Sequence, residues 1–417
     1  MAWWVAAATG VAILGSAGFR ATPGVLIDPL HQEFGWSRGV ISVAVSVNLI
    51  LYGLTAPFAA ALMDRFGIRR VVSLALLLVA AGSGLTVLMS TTWQLVLCWG
   101  VLVGLGTGSM ALVLVATVTG RWFVARRGLV TGVLTAAGAA GQLIFLPVLA
   151  WLAQTSGWRV ASVTVSAAAL AVVPLVLLLL RDHPADAGLT PYGAPDGTPV
   201  RKPAPVRGAG RRGLTVLGRA TRSGTFWLLA GGFAICGAST NGLIGTHFIP
   251  AAHDHGMPAT TAAGLLALVG VFDIAGTVVS GWLTDRFDSR ALLATYYALR
   301  GLSLFLLPGL IAATGPSVLV FVIFYGLDWV ATVPPTMALC RQHFGPDAPI
   351  VFGWVFTAHQ IGAAVAATGA GTVRDLTGEY RLAFVAAGVL CLFAAVMSVR
   401  IRRPSGQVAL VAGPVAS

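Results

Sequence analysis

Residues 60–70 read AALMDRFGIRR and residues 281–290 read GWLTDRFDSR. Asp64 and Asp285 stand 221 positions apart, and each closes the second segment of its own run of six apolar segments. A single Leu-x-Asp-Arg is an ordinary helix end. The same signature at matched places in two runs points to a duplicated chain, and parallel repeats related by an axis along the membrane normal are one way to build a transporter whose site lies between halves. The surrounding composition agrees. Of 417 residues 57% are hydrophobic and only 10% charged, against about 25% charged in soluble domains, and the mean hydropathy is +0.87. An ordinary soluble domain is excluded, and the bilayer is the solvent.

At about 20 residues per spanning helix, the apolar runs give spans near 4–30, 38–63, 71–90, 94–119, 128–153 and 158–180, then 225–250, 261–284, 291–312, 317–340, 350–372 and 380–400. The expected fold is all-α, twelve transmembrane helices in two pseudo-symmetric bundles: residues 1–180, a linker at 181–224, residues 225–401, and a tail at 402–417. Six prolines and eight basic residues between 181 and 224 make that linker solvated and largely disordered. The N-terminal run lacks a basic n-region and reads as a retained first helix.

The net charge of +12 raises the question of nucleic acid. Yet the basic residues cluster between apolar segments without exposed aromatics, so topology explains them better than a phosphate-binding footprint. Twenty of the 26 fall on the side that carries the linker, and four (Arg38, Arg159, Arg374, Arg381) on the other. Both termini are therefore expected in the cytoplasm of a multi-pass cell-membrane protein. Cys98, Cys236, Cys340 and Cys391 all lie in apolar segments with no CxxC pair, so disulfide and zinc readings are poor. No metal or cofactor is expected.

On the two Asp-Arg segments the chain resembles the major facilitator superfamily, whose loop after the second helix carries G-x-L-x-D-R-x-G-x-R-R, repeated more loosely after the eighth. Leu62, Asp64, Arg65, Gly67, Arg69 and Arg70 match the first copy, with Ala60 in place of its first glycine; Gly281, Leu283, Asp285, Arg286 and Arg290 match the second. The resemblance implies a gating role. Asp64, Arg65, Arg69, Asp285 and Arg286 would form cytoplasmic charge contacts that hold the outward-facing state, with Arg121, Arg126 or Arg127 as the partner of Asp64. An arginine in helix one and an aspartate in helix eight further resemble bacterial relatives of the monocarboxylate and oxalate–formate porters. In the better-known monocarboxylate members an arginine follows that aspartate by four residues; here Asp273 is followed by Thr277.

A charged side chain at mid-bilayer costs about 2.5–3.5 kcal/mol on insertion scales, so the polar residues at span centres carry information. Arg20, Asp273, Arg300, Asp328, His359 and Gln360 fall near one depth, with Asn241 central in helix seven and His247 about 9 Å further along. Arg20, in GSAGFRATPG, offers a planar, permanently charged fork for a carboxylate; a structural ion pair is its alternative role. Asp273 and Asp328 are the proton-coupling candidates, with Arg300 expected to neutralise one of them. Asn241, His247, His359, Gln360 and Trp329 are the remaining substrate-side candidates, each with a packing role as alternative. Asn48 and Gln142 read as interhelical hydrogen-bond links. Glycines in 100–109 and 132–142 are expected to let helices four and five approach closely, and His253, Asp254 and His255 read as a solvated loop.

The resulting expectation is a secondary active transporter, not an enzyme, working by alternating access. Its partners would be a small organic anion (a monocarboxylate), protons and the lipid bilayer, with no nucleic acid, and one chain encloses the site, so a monomer suffices. Symport is the coupling. A proton-antiporting exporter of hydrophobic compounds is the alternative within transport, and a membrane-embedded enzyme the alternative of another class. Against the enzyme stand the midplane position of the polar cluster and the lack of a nucleotide or Ser/His/Asp motif.

Overall fold

The computed structural model describes residues 1–36, 38–195, 198–200, 209–312 and 317–403. Its long helices are α1 (Ala2–Phe34), α2 (Arg38–Phe66), α3 (Ile68–Thr86), α4 (Thr92–Trp122), α5 (Arg127–Thr155), α6 (Trp158–Leu179), α7 (Gly224–Asp254), α8 (Ala259–Thr284), α9 (Ser289–Ala312), α10 (residues 317–344), α11 (Ala348–Thr377) and α12 (Arg381–Val399). Among the described residues ten helical stretches are long and apolar enough to cross a membrane, one of them Ser317–Arg374 with 58 residues. At 1.5 Å per residue that stretch would rise about 87 Å, nearly three hydrocarbon thicknesses. It turns back at Gly345–Asp347, where Gly345 takes φ +50, and so makes two spans, α10 and α11. With α1 the spans number twelve. No strand occurs among the described residues, only a single bridge between Phe123 and Tyr192.

The first six helices pack on one another, as do the last six, and the halves meet where α5 runs along α8 and α2 along α11. Small residues permit this. A Cβ on Gly128 would lie 2.3 Å from the Gly281 carbonyl oxygen, and one on Gly132 2.6 Å from that of Thr277. The glycine-rich runs therefore do not join helices four and five to each other. Those of α5 serve α8 and, through Gly141 against Leu14, α1; Gly104 and Gly108 of α4 admit α2, and Gly106 admits α3.

Pro57 illustrates how this meeting is held. Having no N–H, it leaves the Gly53 carbonyl of α2 without its helical donor. The Thr357 hydroxyl of α11 reaches that oxygen at 3.0 Å, across the boundary between the halves, and shares its one proton with the Gly353 carbonyl of its own helix, also at 3.0 Å. A Cβ on Gly353 would touch Pro57 at 2.7 Å, so the hydrogen bond and the close approach occur at one crossing, in the half of the membrane nearer the linker.

The linker departs from the expectation of disorder. Residues Ala209–Ala220 form a helix that packs on α2 and α11, burying Val216 and Ala220. The Trp354 indole donates to the Gly213 carbonyl at 3.1 Å. Upstream, Tyr192 exchanges backbone hydrogen bonds with Trp122 and Val124 at the end of α4, and its ring meets Trp3 edge-on. The basic residues masked the apolar spacing of Val216, Leu217 and Ala220. Residues 201–208 and the tail beyond 403 lie outside the described residues.

Thr357→Val removes the cross-half hydrogen bond while keeping the shape. A membrane side-chain hydrogen bond is worth about 1 kcal/mol, so the variant should shift the balance toward opening on the linker side about fivefold, read from spin-label distances between the ends of α2 and α11.

Candidate functional site

Three helices are interrupted along their length. In α4 the coil widens at Val96–Val103 and breaks at Met110–Ala111; in α7 it widens at Ala238–Ile244; in α10 it breaks between Asp328 and Val333. The last break is written in TVPPT. Pro335 cannot donate to the Ala331 carbonyl, and the Ser280 hydroxyl of α8 takes that oxygen at 2.5 Å. Beside the breaks at Met110–Ala111 and in α10 and the widened coil of α7 lies a cavity of about 150 Å³ lined by both halves: Ser16 and Ala17 of α1, Tyr52 of α2, Thr135 and Gln142 of α5, and, facing them, residues of α7, α8, α10 and α11. Sites for drug-sized ligands run to about 300–1,000 Å³; this one suits a molecule of a few heavy atoms.

The structure brings several of the expected residues to that cavity. Asn241, Asp273, Trp329, His359 and Gln360 all line it. His359 lies with its ring 4.9 Å from that of Phe233 and stacked on Phe356 at 5.8 Å, and Trp329 stands edge-on to Tyr325. Arg20 lies one helical turn beyond Ser16 and Ala17 on α1, and its side chain is outside the described residues. His247 sits elsewhere: its ring nitrogens reach the Ala367 carbonyl at 2.8 Å and the Tyr380 hydroxyl at 3.3 Å, joining α7 to α11 and the start of α12. Sequence reading passed over Tyr52, Thr135, Thr240 and Phe356 as lining residues, because nothing in an aromatic or a threonine at helical spacing separates a cavity wall from core.

The two buried aspartates have different partners. Arg300, 1% exposed, donates from Nε to Asp328 Oδ2 at 2.6 Å. Its other nitrogens reach the Asp328 and Trp329 carbonyls, the Cys236 sulfur and the Ser239 hydroxyl. It thus neutralises one acid and also serves two carbonyls released by the break in α10. Asp273 instead accepts from the Thr277 hydroxyl at 2.8 Å and the Val330 N–H at 3.0 Å, with no ion pair among the described residues. Thr277 occupies the place where an arginine was expected by resemblance, and gives the carboxylate a hydrogen bond without a charge.

On the linker side Asp64 pairs with Arg121 at 2.7 Å and with Arg212 of the linker helix at 2.6 Å. Arg212 continues to Asp347, just ahead of α11, at 3.0 Å, where Arg219 also binds. Asp285 takes the Gly128 and Leu129 N–H groups, 2.6 and 2.9 Å, and so caps the start of α5 from the other half. Gly67, with φ +90, leaves space for the Asp182 carboxylate, which accepts the Arg69 N–H. Arg65 in α2 and Arg286, just past the end of α8, lie over the rings of Phe66 and Trp282. Next to them, hydrogen bonds from the Arg290 side chain hold the Asp288 carboxyl below the usual carboxylate range. Arg212 was not foreseen as a partner of Asp64. On the opposite side Asp254 pairs with Arg374, and no cluster of three or more metal-type ligands occurs among the described residues.

The model of a family described as Major Facilitator Superfamily matches residues 9–367 and, in a second match, 239–414. The chain is 28% identical over 388 residues to the uncharacterized MFS-type transporter YcxA of Bacillus subtilis, covering 92% of this chain and 90% of that one. It is 27% identical over 413 residues to monocarboxylate transporter 11 of Homo sapiens, covering 93% and 80%. Its backbone superposes on the transporter FucP in the outward conformation with a TM-score of 0.71 at 16% identity, covering 95% and 98%. The match to the proton:xylose symporter XylE bound to 6-bromo-6-deoxy-D-glucose gives 0.70 at 15% identity, covering 96% of each chain. At these identities the two solved structures speak to the fold alone.

Removing one member of a buried pair leaves an uncompensated charge and costs about 3–5 kcal/mol, whereas replacing both by apolar residues is often neutral. Arg300→Met should therefore lower the thermal unfolding midpoint sharply, and the double variant Arg300→Met with Asp328→Leu should recover only the part due to the uncompensated Asp328 charge, because the Asp328 and Trp329 carbonyls stay without a donor. For the linker-side network, Arg212→Ala should speed the labelling of a Met63→Cys thiol by an impermeant maleimide several-fold, since it frees Asp64 from Asp347.

Proposed function

The chain belongs to the Major Facilitator Superfamily and is a membrane transporter rather than an enzyme; on that premise we propose that it carries a small monocarboxylate together with a proton by alternating access. The observation that carries this reading is Asp273: a carboxylate facing a small central cavity, held by two neutral donors while the other buried acid is taken up by Arg300. The relationship to monocarboxylate transporters supports the cargo class, as does the cavity's size.

The coupling follows from charge. With Arg20 as the anion site, the empty carrier holds one positive and one negative group in the membrane, Arg20 and Asp273, which compensate each other. The fully loaded carrier holds the cargo carboxylate on Arg20 and a proton on Asp273, again with no net charge. Loading only the anion or only the proton leaves one uncompensated charge to move through the bilayer, which is costly. Reorientation is therefore fast only for the empty and doubly loaded forms, and that is symport. Asn241, His359, Gln360 and Trp329 orient the cargo, and Asp64, Asp285 and Arg121 hold the linker side shut during loading from the other face. The distribution of basic residues supports a cytoplasmic linker side and cytoplasmic termini, and in this reading one copy of the chain is the working unit.

Export of hydrophobic compounds against protons is the second reading, favoured by Phe233, Trp329 and Phe356 in the wall but disfavoured by a cavity of about 150 Å³. Uptake into proteoliposomes distinguishes them. An inward proton gradient should drive accumulation of a labelled short monocarboxylate, Arg20→Ala should abolish it, and Asp273→Asn should lose the gradient stimulation while keeping anion exchange. Movement of a lipophilic cation alone, undisturbed by Arg20→Ala, would replace symport by export.

A further inference from the structure

A second, larger cavity opens on the linker side between the halves, with a volume of about 1130 Å³. Seven arginines and two aspartates line it. Asp64 is occupied by Arg121 and Arg212, and Asp182 accepts the Arg69 backbone N–H. The guanidiniums of Arg69 and Arg70, at the start of α3, and of Arg341, near the end of α10, have no carboxylate within ion-pair distance among the described residues. Arg341 is the sharpest case. Its Nη1 is fully buried and has no hydrogen-bond acceptor among the described residues, a costly state for a charged donor, and it lines this cavity. Arg127, at the start of α5, adds a fourth charge to the same wall, its Nε turned to the Phe123 carbonyl.

We propose that this cavity is a binding site for a phosphate-bearing oxyanion that bridges the two halves and steadies the linker-side-closed state. A monocarboxylate has one charge and two oxygens and is satisfied by one arginine fork. A surplus of guanidiniums spread over both halves calls for more oxygens and more charge, which a phosphate or diphosphate group supplies. Because Arg341 belongs to the second half and Arg69, Arg70 and Arg127 to the first, an anion touching both binds best when the halves are together on that side. It would then slow the carrier's turn toward the linker side. The phosphate could belong to a soluble metabolite or to the headgroup of an acidic phospholipid, and the chemistry of recognition is the same. The site is distinct from the central cavity and does not depend on what that cavity carries.

The test uses the full chain in phosphatidylcholine nanodiscs, with pyrophosphate as probe and sodium chloride of equal ionic strength as control. Pyrophosphate should raise the thermal unfolding midpoint saturably and slow maleimide labelling of Met63→Cys. Arg341→Gln should weaken half-saturation about tenfold, the equivalent of one lost charged contact. Arg70→Gln, at an exposed position, should do likewise and carries the test if Arg341→Gln does not fold. A second arm replaces one lipid in five by phosphatidylglycerol without soluble phosphate. If the lipid is the source, the stabilisation appears there, disappears in Arg70→Gln, and pyrophosphate adds nothing to it. No saturable effect beyond sodium chloride in either arm, or variants that respond like the parent chain, overturns the proposal.

Discussion

Inside a bilayer a backbone carbonyl without its helical partner has no water to turn to, and each such group costs several kcal/mol. Much of this molecule is arranged around that constraint. Pro57 releases the Gly53 carbonyl, and Thr357 of the other half takes it. Pro335 releases the Ala331 carbonyl, and Ser280 takes it. The break in α10 exposes the Asp328 and Trp329 carbonyls to Arg300 and turns the Val330 N–H toward Asp273. The irregular backbone that makes a cavity possible is tolerated because side chains from neighbouring helices replace the missing hydrogen bonds, and those side chains thereby become fixed in place.

Arg300 shows how this fixes the chemistry. It is enclosed between the rings of Tyr297 and Tyr325, 5.8 and 5.9 Å away, and every nitrogen has a partner within the second half. A guanidinium committed in this way cannot exchange partners without unpairing two carbonyls, so Asp328 is tied to it as part of the scaffold. Asp273 is bound only by neutral donors, one of which, Val330, belongs to the broken segment itself. Any repositioning of α10 against α8 changes the hydrogen bonding of Asp273, and hence its preference for a proton. Asp273 and the helix break in α10 are thus in direct contact.

The fold was legible because two signals reinforced one another: the apolar runs, and the Asp64 and Asp285 segments at matched positions. The site was legible in part. A charged or amide side chain at mid-span is expensive enough that its position alone singles it out, which is why Asn241, Asp273, His359 and Gln360 could be named before their surroundings were known. Depth says nothing of rotation about the helix axis, so His247, equally polar and nearly as central, could not be separated from them, though it turns to Ala367 and Tyr380. The linker misled for a different reason. Arginines and prolines dominate its composition, and the short apolar face carrying Val216 is too brief to stand out, yet two acids from different halves create a demand that Arg212 meets.

The two copies of the Asp-Arg segment have diverged in how they meet that demand. Asp285 reaches the start of α5 directly and is satisfied by two backbone N–H groups. The equivalent helix in the second half is α11, and immediately before it stands Asp347, an acid, so Asp64 cannot approach without repulsion. Arg212 resolves the conflict by binding both carboxylates. Opening on that side must therefore break the Asp285 cap, the Thr357 bond and the Arg212 bridge. At about 1 kcal/mol each these total a few kcal/mol, the range in which a minor state remains populated at about 0.1–10%. The chain joining the two halves thereby ties one half to the other, and the duplicated architecture is asymmetric at the place where they meet on that side.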